Sequence, residues 1–211
     1  MTVRVAVAEL QTMVYRALVA QGASTGEAEA AAAACAEAEV HGAGGLVLAV
    51  DALDRVPRER VGAQVEDGSP ARLVDPAARA LILQARMALD WLASHRAGAI
   101  ALPGERGAGA LIGALPCGMM AIDFANGEPV GGCAVNADGA LVRFDGDPGC
   151  VAPAVADGIV LLAAGPPTGT VTDPAERRNR WLQACADGVL VDAAPWRALL
   201  VVAERYLVPE A

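Results

Sequence analysis

Few side chains here can move a proton or hold a charged ligand: the chain has two histidines, five cysteines and no lysine. His41 is the first candidate. It closes an alanine-rich run just before Gly42, with Glu37 and Glu39 upstream. Residues four apart face one side of a helix, which pairs Glu37 with His41. A carboxylate beside an imidazole favours the charged ring, and a charged ring can donate a proton to a carbonyl or imine. The other reading of His41 is a helix-end histidine facing the negative end of the dipole. His95, which ends a second helical run, has that same reading. Asp123 follows a strand-like apolar run and is placed to point from a sheet end into a cleft.

A glycine-rich turn supplies the second kind of chemistry. Gly107-Ala-Gly109-Ala-Leu-Ile-Gly113 follows an expected strand and enters an expected helix. Glycines in that position let a backbone approach a pyrophosphate while helix amides face its charge. The spacing is one residue longer than the usual dinucleotide fingerprint. The acidic residue expected about 20 positions on is replaced by Glu128 in a Gly/Pro loop. The same residues also fit a tight strand-to-helix turn with close packing, and both readings stay open.

Several chemistries are excluded. Without lysine there is no Schiff base, no Walker lysine and no Ser–Lys pair. The cysteines (35, 117, 133, 150 and 185) are irregularly spaced and remote in sequence from both histidines, so no zinc site of familiar spacing exists. Most of them read as small buried groups in a reducing compartment. A net charge of −9 argues against nucleic acid, which needs a basic face. No stretch approaches the roughly 20 apolar residues of a membrane span. These features lead to the expectation of a soluble, cytoplasmic protein.

The elements that must position these groups follow from periodicity. Helices are expected from about Val7 to Ala20, from Glu27 to Val40 behind a Ser24/Glu27 capping box, and over the apolar segment Leu46 to Leu53. Arg55 to Pro70 is a linker or a surface loop. Beyond it, strands are expected at Ala71–Val74, Gly98–Leu102 and Gly118–Phe124. Gly131–Val135 and Ala140–Phe144 form a hairpin around Asn136-Ala-Asp-Gly139, and Gly158–Ala163 and Gly188–Val191 are further strands. Helices are expected from Asp75-Pro76 to His95, over Ala110–Leu115, from Asp173-Pro174 toward Asp187, and over Ala194–Leu207. The pattern predicts an α/β (or α+β) fold, with a helical N-terminal region (1–54) packed on a mixed sheet layered with helices (71–211), or a single domain. The 48 alanines and 3% aromatic content mean that its packing must use small and aliphatic side chains.

Two helices, a glycine-broken segment, the run from Ala88 to Leu102 and the run from Gly118 to Asn126 resemble the type-2 malate/L-lactate dehydrogenases. That resemblance implies reduction of a small 2-oxo or cyclic imino acid with NAD(P)H, on a fold distinct from the Rossmann domain, usually as a dimer. It implies His41 as proton donor, with Val40 where the family has serine; a gapless match of the helices puts Leu46 at the histidine position instead. Arg106 would pair a substrate carboxylate beside Asp123, and Gly107, Gly109 and Gly113 would face the cofactor. The family's second histidine falls near Arg106-Gly107 and is missing. The run Gly188-Val-Leu-Val-Asp-Ala-Ala-Pro-Trp-Arg197 is also similar to the ending of a bacterial domain family of unknown activity and about this length. The alternative expectation is a non-catalytic subunit on the same scaffold, as a homo-oligomer or with a protein partner.

Overall fold

Small residues decide how the helices meet in the computed structural model, which describes residues 1–55, 63–75, 79–95, 98–149, 155–163 and 167–207. Helix α1 spans Val7–Ala20 and α2 spans Thr25–Val40. Ser24 starts α2 through the expected capping box: its hydroxyl accepts from the Glu27 amide at 3.4 Å, and its amide donates to Glu27 Oε2 at 3.0 Å. Alanine fills α2 because it has the highest helix propensity and lets neighbours approach from several sides. Ala28, Ala31, Ala32, Ala34, Ala36 and Ala38 are all buried.

Two glycines carry this close approach further. Helix α3 (Gly45–Asp54) begins against α2, and a Cβ at Gly45 would fall onto the Cys35 carbonyl. A 3-10 helix over Ala108–Gly113 packs on α2 as well, and a Cβ at Gly113 would fall onto the Ala34 carbonyl.

The strands β2 (Gln64–Glu66), β3 (Ala71–Val74), β4 (Ala99–Pro103), β5 (Met119–Ala125), β6 (Glu128–Val135), β7 (Leu141–Asp145), β8 (Gly158–Ala163) and β9 (Thr170–Thr172) make one sheet. Its order is β2-β3-β4-β8-β5-β6-β7-β9, with β3 and β4 parallel and the other neighbours antiparallel. The two-residue strand period divides the side chains. Ile100, Leu102, Ala121, Cys133, Ile159 and Leu161 join the helices in the main core, while Ala101, Met120, Ile122, Val160 and Leu162 form a second cluster on the other face.

Helix α4 (Leu81–His95) joins the main core. Apart from this sheet, β1 (Thr2–Val5) pairs antiparallel with β10 (Val189–Asp192), which follows α5 (Pro174–Asp187) and leads into α6 (Ala193–Ala203). The fold is α/β, with a mixed sheet and helices packed on it, as expected.

Three expectations change. Helix α4 begins at Leu81, and Arg79 just before it is tied to Asp75: its amide donates to Asp75 Oδ2 at 2.8 Å and its guanidinium pairs with the same carboxylate. The expected start at Pro76 lies outside the described residues, as do positions 56–62 of the expected linker, where the described part contains β2. The last helix tightens after Ala203 into a 3-10 turn over Glu204–Leu207. Among the described residues no helix is long and apolar enough to cross a membrane.

Candidate functional site

His41 sits at the C-cap of α2 with 6% of its surface exposed. Its Nε2 lies 3.3 Å from Glu37 Oε1, within ion-pair range but without hydrogen-bond alignment, so neither ring nitrogen has a hydrogen-bond partner among the described residues. The same Glu37 oxygen accepts from Arg177 Nε of α5 at 2.9 Å. Burial is the largest single influence on the Glu37 carboxyl and pushes it up. The contacts with His41 and Arg177 together outweigh burial and hold it below the usual carboxylate range. Arg143 of β7 holds the turn after the helix, donating to the carbonyls of His41 and Gly42 at 3.2 Å each. Glu39 faces elsewhere and accepts the Leu46 amide at the start of α3 at 2.6 Å.

Asp123 lies on β5, and its carboxylate turns onto the glycine-rich turn. Oδ1 accepts the Gly107 amide at 3.0 Å and Oδ2 the Ala108 amide at 2.8 Å. These are the first donors of the 3-10 helix, which backbone geometry leaves without partners of their own. Burial pushes the Asp123 carboxyl up, against the pull of these two amides and of Arg106. Gly107, at φ 96°, lets the chain enter the 3-10 helix with its amide turned to that carboxylate. Gly113 is closed off by α2, and Gly109 is open around its Cα.

These features give a negative fit for a dinucleotide phosphate at the three glycines. An anion already occupies the amides at the head of the turn, and Gly113 serves packing. Arg106 is engaged as well: its guanidinium donates to the Phe124 carbonyl and pairs with Asp157 at 2.7 Å.

The structure does bring part of the set together. Ala43 and Gly44, just after His41, line a cavity of about 600 Å³ with Arg106 and Gly107. That volume suits a metabolite. The rings and carboxylates of His41 and Asp123 do not line it, and neither do Gly109 and Gly113. A second cavity of about 630 Å³, between the last turn of α2, α5 and β10, touches none of the six candidates. Among the described residues no three or more His, Cys, Asp or Glu side chains gather as a metal site would need.

Polar residues that the sequence reading did not single out line the 600 Å³ cavity, namely Asp51, Arg55 and Glu105, with Gln84 behind them. Arg55 Nη2 bonds Glu105, and Arg55 Nη1 lies 3.0 Å from Asp51 Oδ2. Gln84 donates to Glu105 Oε1 at 2.9 Å and to the Arg79 carbonyl at 2.6 Å. One signal was available: Gln84 interrupts the apolar run Leu81-Ile-Leu83 on a buried helix face, and a buried amide requires partners.

No family model matches the chain, and no curated protein does. Solved structures match along nearly its whole length. Malate dehydrogenase from Entamoeba histolytica is similar at 9% identity and a TM-score of 0.59, over 100% of this chain and 99% of that one. Delta1-piperideine-2-carboxylate reductase from Pseudomonas syringae is similar at 14% identity and a TM-score of 0.56, over 95% and 99%. A dehydrogenase from Sinorhizobium meliloti is similar at 11% identity and a TM-score of 0.52, over 96% and 100%. The chain shares the fold of these dehydrogenases and this imino acid reductase.

Proposed function

We propose that the chain is a non-catalytic member of this fold that binds a small molecule in the 600 Å³ cavity, as a subunit beside a second copy or another protein. The observation that carries this reading is the Asp123 carboxylate seated on the Gly107 and Ala108 amides. A helix start of this kind is where a cofactor phosphate gains most from backbone donors. Here a phosphate would have to expel a carboxylate already bound there. The buried ring of His41 and the engaged guanidinium of Arg106 support the same reading.

A second reading is NAD(P)H-linked reduction of a small 2-oxo or cyclic imino acid, with His41 as proton donor and Arg106 on the substrate carboxylate. One observation favours it: a buried imidazole, 3.3 Å from the Glu37 carboxylate, whose nitrogens have no hydrogen-bond partner among the described residues. Such a group costs about 1–3 kcal/mol, and sites of chemistry are among the places where that persists. For His41 to reach the cavity, the Gly42–Gly44 turn would have to open. Gly42 and Gly44 sit at φ 65° and 78°, a region that glycine enters readily.

Thermal unfolding with NADH or NADPH separates the two. A cofactor that binds at 100 times its Kd adds about 2.7 kcal/mol of apparent stability. For a chain of this length that is a Tm rise of about 5–11 °C. The non-catalytic reading predicts no saturable rise at millimolar cofactor; a rise of that size would overturn it in favour of the reductase.

A further inference from the structure

Helix α5 docks differently from the helices around it. Of its 14 residues Ala184 alone is buried, and Trp181 reaches the main core from a half-buried position. Helix α1, of the same length, buries five residues, and α4 buries eight of its 15. A helix owes its place in a protein mainly to an apolar face packed on its neighbours, and α5 has little of one. Leu182, in its second half, is 55% exposed. The polar contacts within α5 support the helix without docking it: Asp173 accepts the Glu176 amide at 2.8 Å, and Glu176 pairs with Arg180.

Two guanidiniums fasten its ends. Near the start, Arg177 Nε donates to Glu37 Oε1 of α2 at 2.9 Å, and its Nη1 donates to the Gly139 carbonyl of the β6–β7 turn at 3.2 Å. At the other end, Arg4 Nη1 of β1 donates to the carbonyls of Asp187 and Gly188 at 3.0 and 3.2 Å. Among the described residues no other side-chain hydrogen bond joins α5 or its C-cap to another element. Between these two clasps α5 forms one side of the 630 Å³ cavity through Arg180, Gln183 and Ala184, and Val40 of α2 and Val189 of β10 line it as well.

We infer that α5 is a strap across this cavity, fastened by Arg177 and Arg4, that opens as a unit while the helices and sheet beneath it stay folded. Segments that open below the level of global unfolding are those with few buried apolar contacts, and α5 meets that condition along its whole length. Loss of either clasp leaves the helix held by the other clasp, Ala184 and Trp181, so opening becomes easier and the core is untouched. The motion does not depend on whether the chain is catalytic or on what its other cavity binds.

Amide hydrogen exchange of the full chain, followed residue by residue by nuclear magnetic resonance, tests the strap. The amides from Trp181 to Asp187 should exchange more than about tenfold faster than those in the middle of α2. Arg177→Gln and Arg4→Gln should each speed α5 about fivefold further, equivalent to about 1 kcal/mol of hydrogen bonding, and leave α2 unchanged. Arg177→Gln also frees Glu37 beside His41, so Arg4→Gln supplies the independent reading from the other end. Arg178→Gln is the control, because that side chain is exposed and has no hydrogen bond or ion pair among the described residues. It should leave α5 exchange as it is. The inference is overturned if α5 exchanges within about tenfold of α2, if either clasp variant fails to speed α5 selectively, or if Arg178→Gln speeds it as much as they do.

Discussion

Replacing Glu105 with alanine is expected to lower the stability of the fold by about 3 kcal/mol, a fall in Tm of about 6–12 °C for a chain of this length. Glu105 is buried beneath the cavity and joins three elements: Arg55 at the end of α3, Gln84 in α4 and the turn after β4. Taking away one partner of a buried ion pair commonly costs about 3–5 kcal/mol, because the remaining charge stays desolvated. The lower end applies here, since the Arg55 side chain is 30% exposed and also contacts Asp51 and the Arg79 carbonyl. Glu105→Gln keeps the shape and one acceptor, so it should lose less than the alanine variant. Urea unfolding of both variants checks this. A loss below about 0.5 kcal/mol in Glu105→Ala, the size expected of an ordinary surface substitution, would mean the network does not hold these elements together.

Gly113→Ala should have an effect of similar size, about 3 kcal/mol, at the upper end of overpacking by one methyl group. The added Cβ falls onto the Ala34 carbonyl, which belongs to the α2 backbone, and comes within 2.8 Å of Glu37 Cβ. Neither is the far end of a flexible side chain, so α2 or the 3-10 helix must move. Gly109→Ala is the control, because nothing lies within 4 Å of its Cβ position. It should be near neutral. Equal melting temperatures for the two variants would contradict the close contact between the turn and α2, and with it the packing role assigned to Gly113.

What could be read from the sequence was local. The capping box joins Ser24 and Glu27, three positions apart, and the turn between β6 and β7 closes with Gly139 donating to Asn136 at 2.9 Å. Helix α1 has the expected bounds because one helical repeat of Leu10, Val14 and Leu18 is buried as a stripe. The site was not local. Asp123 reaches back 15 and 16 residues to its two amides, Arg106 forward 51 to Asp157, and Arg55 forward 50 to Glu105. No spacing rule links such partners, so a glycine-rich turn and a carboxylate read as separate candidates when the fold joins them to each other.

The amide signals of Gly107 and Ala108, followed by nuclear magnetic resonance, test the central claim most directly. If the Asp123 carboxylate is their partner, both signals move together as that carboxyl titrates, above the ordinary aspartate range, and stay fixed as NADPH is added. If instead they are indifferent to that titration and shift saturably with NADPH, the turn is open to a cofactor phosphate and the non-catalytic account is wrong.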